Sequence, residues 1–132
     1  MMSSVSQPTA YRQVGSNGRL HEPGVPHRDA KTAVLIHAFV IVGAGTFGAM
    51  LMVSLILWLV HRSGSAFIDD HGREALNFVL SMLLYTVLLS ISIIGIPLAW
   101  VPGVLMIVLP IRSAIAASNR EYIRYPMTLR MF

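Results

Sequence analysis

The chain has 132 residues, of which 55% are hydrophobic and only 12% are charged. This balance excludes an ordinary soluble domain, because a soluble fold needs a polar surface. The absence of cysteine excludes a disulfide framework and a cysteine-based metal site. The net charge of +4 comes from residues that flank the apolar runs, which indicates contact with lipid headgroups rather than nucleic acid.

Residues 1–31 are rich in proline, glycine, serine and arginine, with no periodic apolar pattern. Such a segment buries too little apolar surface to offset the entropy of ordering it. We therefore predict a disordered N-terminal arm on the cytoplasmic side. No cleavable signal peptide is expected, since about thirty polar residues precede the first apolar run.

Two long runs, residues 32–60 and 75–111, contain no Asp, Glu, Lys or Arg. The first would be about 42 Å long as one helix, which exceeds a hydrocarbon core of about 30 Å. Three glycines at positions 43, 45 and 48 weaken it in the middle. The run is therefore either one tilted helix or a hairpin of two short helices.

The positive charges decide between these alternatives. The arm carries Arg12, Arg19, Arg28 and Lys31, the connection at residues 61–74 carries Arg62 and Arg73, and the C-terminal end carries Arg112, Arg120, Arg124 and Arg130. A hairpin at residues 43–48 places every one of these on the cytoplasmic side, whereas a single crossing divides them. The hairpin is preferred, with a short, re-entrant first limb buried against its neighbours.

The predicted fold is an all-α, polytopic membrane protein with four membrane segments. The membrane domain is residues 32–118, with segments near 32–42, 48–61, 70–94 and 97–118. Asp69 or Asp70 is the expected N-cap of the third segment. A proline at position 97 ends that segment, and residues 119–132 form a cytoplasmic tail.

The glycine cluster also matches the dinucleotide-binding pattern G-x-G-x-x-G, with Asp69 near the spacing of ~20 residues expected of a ribose-binding acid. A Rossmann helix on a soluble sheet is amphipathic, but residues 49–60 have no polar face. We therefore predict no cofactor, and we interpret the glycines as a tight turn that lets helices approach closely.

The third segment carries polar residues at helical spacing on one face: Glu74, Asn77, Ser81, Tyr85 and Ser92. This pattern is typical of a packing seam that forms hydrogen bonds between helices. The alternative is a polar pathway for ions, water or peptide.

Ionisable residues are predicted to gather at the cytoplasmic interface. The candidate metal ligands are His37, His61 and His71 together with the acidic residues of the connection. Only His71 and Glu74 have a ligand-like spacing, so no metal site is predicted. A structural, hydrogen-bonded His37 is favoured over a proton sensor. Arg112 is expected to extend to the interface, and Glu74 to pair with Arg112 or Arg73.

Residues 67–78, FIDDHGREALNF, resemble the Tic-twenty-like proteins, small bacterial membrane proteins grouped with a subunit of the chloroplast inner-envelope import translocon. Further matches, including Ala33, His37, Trp58, residues 94–98 and residues 125–130, extend the resemblance over residues 33–130. The sequence departs from the family pattern at Gly72, at Val79 and at residues 54–55. In the family, alanine often occupies position 72. The resemblance implies a small helical membrane protein without an assigned activity, and an import role would be analogy alone.

The sequence therefore predicts a multi-pass protein of the cytoplasmic (inner) membrane with both termini in the cytoplasm. No nucleophile–base pair is visible, so no enzymatic activity is predicted. The expected function is a structural or accessory subunit of a membrane assembly, associating with itself or with a larger complex. A small channel or transporter that uses the polar face of the third segment is the alternative.

Overall fold

The computed structural model describes residues 12–46 and 48–132. Within them, a small antiparallel β-hairpin precedes four α-helices. The elements are β1 Gln13–Val14, β2 Leu20–His21, α1 His27–Gly45, α2 Ala49–His61, α3 Ala66–Ile91 and α4 Val101–Ser118. A 3₁₀ turn, Ile96–Leu98, links α3 to α4. The prediction of a helical protein is confirmed for the described residues.

The predicted break at the glycine cluster is confirmed. Helix α1 ends at Gly45, and α2 follows Gly48, which has a left-handed φ of 88° that favours glycine. Gly43 allows the two helices to approach closely, because an added Cβ would overlap the side chain of Leu51. The Ser54 hydroxyl donates to the Ile36 carbonyl at 2.8 Å, so α1 and α2 pack side by side.

The prediction of four membrane segments is not supported. Among the residues that the structure describes, two helices are long and apolar enough to cross a membrane, Ala66–Ile91 and Ile96–Ser118. Helix α2 has 13 residues and is about 20 Å long, which is short of a hydrocarbon core of about 30 Å. Helix α1 begins with charged residues (Arg28, Asp29 and Lys31), so its apolar part is only about 21 Å long.

The two long helices expose much of their apolar surface. Only 33% and 22% of the residues in their apolar windows are buried, unlike the core helix of a soluble protein. Ile93 and Ile94, in the turn between them, are 87% and 85% exposed. A contiguous apolar surface of this kind is typical of contact with lipid.

The residues before α1 were predicted to form a disordered arm, but those that the structure describes are partly ordered. Residues 1–11 of that arm lie outside the described residues. Residues 13–21 contain the β-hairpin, and α1 begins at His27 rather than after Lys31. The hairpin is held in place by the far end of the chain, since the Tyr122 amide donates to the Leu20 carbonyl at 2.8 Å.

Helix α3 also begins earlier than predicted. Its N-cap is Ser65, whose hydroxyl accepts a hydrogen bond from the Ile68 amide at 3.4 Å, so the expected caps Asp69 and Asp70 lie inside the first turns. The helix ends at Ile91, a few residues before the predicted boundary, and Ser92 is its C-cap.

Three buried apolar clusters hold the helices together. One joins the base of α1 to α3, α4 and Tyr122, a second packs α1 and α2 around Trp58, and a third packs Phe78 and Met82 against Tyr125. Two of the three therefore contain a tyrosine from beyond α4. The residues after α4, which the sequence analysis treated as a tail, are part of the core.

Candidate functional site: the polar face of helix α3 and its covering segment

The α3 polar face, defined as Glu74, Asn77, Ser81 and Tyr85, lies on one side of the helix as predicted from the spacing. Glu74, Asn77 and Ser81 are buried, at 4%, 2% and 0% exposure. Ser92 does not belong to this face. It ends the helix, and its hydroxyl accepts a hydrogen bond from the Gly95 amide at 3.3 Å.

The α3 polar face is covered by residues 119–132, which we call the C-terminal segment. Each polar side chain of the face bonds the backbone of this segment. The Glu74 carboxylate accepts a hydrogen bond from Tyr125 N at 3.1 Å, and the Ser81 hydroxyl accepts one from Leu129 N at 2.8 Å. The Asn77 amide accepts from Met131 N and Phe132 N, both at 3.1 Å, and donates to Phe132 O at 3.2 Å. The Tyr85 hydroxyl donates to Met127 O at 2.8 Å.

The reason for this arrangement is the irregular backbone of the C-terminal segment. It turns at Met127, which has a φ of 60°, and contains no regular element that would pair its own amides and carbonyls. Buried or lipid-facing backbone groups without partners cost several kcal/mol in hydrocarbon. The polar face supplies those partners, so its members act as a cradle for the segment rather than as a seam between helices.

Ion pairs hold the base of the C-terminal segment against α3. The Asp70 carboxylate accepts two hydrogen bonds from Arg124, at 2.6 and 2.7 Å, and this hydrogen bonding raises the pKa of Arg124. Glu74 lies 4.0 Å from Arg124 and 3.8 Å from Arg130.

The predicted pairing of Glu74 with Arg112 or Arg73 is therefore wrong. Arg73 instead pairs with Asp69 at 2.9 Å, one helical turn away on the same helix. Arg112 is exposed on α4. No local pattern favours Arg124 and Arg130 as partners of Glu74, because the path of the C-terminal segment along α3 depends on contacts between distant residues.

His37 and His71, two of the ionisable residues predicted to gather at the cytoplasmic interface, are directly hydrogen-bonded to each other. His37 Nε2 and His71 Nδ1 are 2.9 Å apart, and both side chains are completely buried. Further hydrogen bonds extend from both histidines. The Tyr125 hydroxyl lies 2.9 Å from His37 Nδ1, and His71 Nε2 lies 3.0 Å from the Glu121 carbonyl oxygen.

The direction of these hydrogen bonds follows from the carbonyl at one end. A carbonyl only accepts, so His71 Nε2 carries a proton, and a neutral His71 accepts at Nδ1. His37 then donates from Nε2 and accepts at Nδ1 from the Tyr125 hydroxyl. Burial raises the pKa of Tyr125, which keeps its hydroxyl protonated as this arrangement requires. With both imidazoles neutral, every ring nitrogen has a partner.

The candidate metal ligands do not converge. His61 bonds the Leu57 carbonyl of its own helix at 2.9 Å, away from the pair of buried histidines. Within residues 12–46 and 48–132, no group of three or more His, Asp or Glu side chains is arranged to hold a metal ion.

Arg112 lines a cavity of about 450 Å³ between the β-hairpin, α4 and the C-terminal segment. Arg19 and Arg124 line the same cavity. The sequence predicted that Arg112 would lie near the interface, but not that it would share a cavity with residues from both ends of the chain.

The profile of the magnetosome magnetite crystal formation protein family (MamF/MmsF) matches residues 28–132. This match covers all four helices and the C-terminal segment. The chain belongs to this family. The resemblance to Tic-twenty-like proteins is therefore corrected by the MamF/MmsF match. No curated protein and no solved structure matches the chain.

The family is described by magnetite crystal formation in magnetosomes, and two of the described helices are long and apolar enough to cross a membrane. The residues that sequence reasoning missed are Tyr125, Arg124 and Glu121. They lie in a segment without periodicity, so no local pattern marked them, although two tyrosines in a short polar tail were a signal that part of it is buried.

Proposed function

We propose that this protein is a non-catalytic accessory protein of the magnetosome membrane that takes part in magnetite crystal formation. The observation that carries the proposal is the family match over residues 28–132, which includes the whole helical domain. The family takes its description from magnetite crystal formation, and membership supports the same role for this chain.

A structural role is supported by how the buried polar groups are used. His37, His71, Glu74, Asn77 and Ser81 all bond partners within their own chain. A catalytic group must instead present its reactive atom to a substrate. These buried polar side chains therefore fix the C-terminal segment in place. This use suits a structural protein that associates with copies of itself or with a larger membrane complex.

We further propose that α3 and α4 cross the membrane as a hairpin, with α1 and α2 entering it only partly. The β-hairpin and the C-terminal segment are joined by two backbone hydrogen bonds that flank the pair His21 and Glu121, from Glu22 N to Arg120 O and from Tyr122 N to Leu20 O, which supports a common side for both. Residues 92–100, which join the far ends of α3 and α4, carry no charge. The positive-inside rule then assigns the charged side to the cytoplasm.

The test is deletion of the gene in a magnetosome-forming host, followed by electron microscopy of the crystals. We expect an altered distribution of crystal size or shape, and restoration by the intact chain. An unchanged distribution, with the protein shown to be present in the parent strain and absent after deletion, would contradict the proposed role.

A transport function along the α3 polar face is the alternative suggested by the sequence. The C-terminal segment occupies this face through hydrogen bonds to Glu74, Asn77, Ser81 and Tyr85, so passage along it would first require release of the segment. Flux in liposomes separates the two functions. An accessory protein gives no flux above empty vesicles, whereas flux above that background that changes in Asn77→Leu would favour transport.

A further inference from the structure

The cavity of about 450 Å³ beside Arg112 has the composition of an anion site. Three arginines line it, Arg19 from the β-hairpin, Arg112 from α4 and Arg124 from the C-terminal segment. Its remaining lining is apolar or aromatic: Leu20, Leu109, Tyr122 and Tyr125 among others. Elements from both ends of the chain therefore build one basic cavity.

Two of the three arginines that line the cavity form ion pairs, and the third does not among the described residues. Arg19 pairs with Glu121 at 3.2 Å, and Arg124 pairs with Asp70 at 2.6 Å. Among the residues that the structure describes, no carboxylate pairs with Arg112. Its guanidinium therefore provides an excess cation in a cavity where two further guanidinium groups are already held in position.

The position of Arg112 along the proposed membrane helix indicates which kind of anion the cavity would bind. It lies within the apolar span Ile96–Ser118, about 9 Å from the end of that helix. Ile111 and Ile115, on either side of it, are 44% and 56% exposed. An arginine in a membrane segment needs a counter-charge or a route to the interface. The phosphate of a lipid headgroup lies at this depth, and its acyl chains can lie along the exposed isoleucines.

We propose that this cavity binds the phosphate headgroup of an anionic phospholipid, with Arg112 as its main ligand. Arginine suits this role because its planar donors match a phosphate group in a bidentate manner. Basic pockets between membrane helices bind anionic headgroups on the same principle. The adjacent apolar surface of α4 selects a lipid over a soluble phosphate.

The experiment uses the full chain purified in detergent, with binding of phosphatidylglycerol and phosphatidylcholine measured by native mass spectrometry and by thermal unfolding. We expect phosphatidylglycerol to bind more tightly and to raise the unfolding temperature more. Arg112→Gln should weaken phosphatidylglycerol binding by about tenfold or more, since charge-assisted hydrogen bonds are among the strong ones. Arg112→Lys should retain part of the affinity.

The matched control is Arg28→Gln, which removes the same charge from an 88% exposed side chain outside the cavity. It should leave phosphatidylglycerol binding unchanged. Equal binding of the two lipids, an Arg112→Gln variant with unaltered affinity, or an equal loss in Arg28→Gln would each overturn the proposal. A matching rise in unfolding temperature with inorganic phosphate alone would overturn the assignment to a lipid. None of these outcomes depends on the role in crystal formation.

Discussion

At the scale of single residues, the decisive feature is that the buried polar atoms of the two histidines are paired within the chain. His37 and His71 bond each other, and the Tyr125 hydroxyl and the Glu121 carbonyl complete the chain of hydrogen bonds. Each link is short enough to be a normal hydrogen bond. Because His37, His71 and Tyr125 are buried, the loss of one of these partners leaves another polar atom without water to replace it.

Tyr125→Phe tests this chain of hydrogen bonds. The substitution keeps the aromatic ring, which stacks on Phe78 with centroids 4.3 Å apart, but removes the donor to His37. We expect the free energy of unfolding to fall by about 1–3 kcal/mol, the cost of an unsatisfied buried acceptor. Thermal unfolding in detergent measures the change.

Tyr85→Phe is the matched control for this prediction. Its hydroxyl also donates one hydrogen bond, to the Met127 carbonyl at 2.8 Å, but Met127 is 71% exposed and no buried imidazole depends on this bond. We expect a smaller loss than for Tyr125→Phe. Equal losses in the two variants would show that burial of the histidine pair is not what makes the Tyr125 hydroxyl important.

At the scale of helices, the packing of α2 on α3 depends on one glycine. An added Cβ at Gly72 would overlap the Trp58 indole, which lies directly against the α3 backbone. The indole N–H donates to Asp69 at 3.0 Å, and Arg62 lies over the ring at 5.4 Å. The contact with Trp58 explains why glycine occupies position 72.

Gly72→Ala should therefore destabilise the protein although alanine is the better helix former. Trp58 would have to move, which costs the hydrogen bond to Asp69 and adds overpacking of about 1–3 kcal/mol. The measurement is again thermal unfolding, with tryptophan fluorescence to detect displacement of the ring.

Gly103→Ala provides the control at this scale. Gly103 also lies inside a helix, but a Cβ there would meet nothing within 4 Å. We expect it to be neutral or to stabilise by up to about 1 kcal/mol through helix propensity. If Gly72→Ala behaved in the same way as Gly103→Ala, close contact with Trp58 would not be the reason for the glycine.

At the scale of the whole molecule, the two ends of the described chain meet. The Arg120 guanidinium donates to the Val25 carbonyl at 2.8 Å, and the Glu22 amide donates to the Arg120 carbonyl at 3.0 Å. From there the C-terminal segment runs along α3 to Tyr85 and returns to Asn77. The segment thus joins the β-hairpin to the membrane helices and closes the polar face.

Asn77→Leu should release the end of the C-terminal segment. The variant loses three hydrogen bonds, to Met131 N, Phe132 N and Phe132 O, each worth about 0.5–1.5 kcal/mol. We expect cleavage by trypsin after Arg130 to accelerate by about tenfold or more, since proteolysis of a locally opened segment follows the free energy of opening.

Ser90→Ala is the control for this release, because the Ser90 hydroxyl bonds only a carbonyl of its own helix, that of Thr86 at 2.7 Å. Its rate of cleavage should match that of the unmodified chain. Cleavage of Asn77→Leu at that same rate would mean that the polar face does not hold the segment in place.

The sequence by itself determined the helical class, the break at the glycine cluster and the common face of Glu74, Asn77, Ser81 and Tyr85. These properties depend on local composition and on the 3.6-residue period of a helix, so a single stretch of chain contains the necessary information. The distribution of positive charge led to an overcount of the membrane segments, because charge shows on which side a connection lies but not whether the helix before it is long enough to cross.

Only the tertiary structure decided what the polar face binds. The partners of Glu74 and Asn77 lie about fifty residues away, in a segment with no periodic pattern. The same holds for the histidine pair, whose members are 34 positions apart. Contacts between distant residues depend on the path of the backbone, and here that path is fixed by irregular chain whose amides must find acceptors.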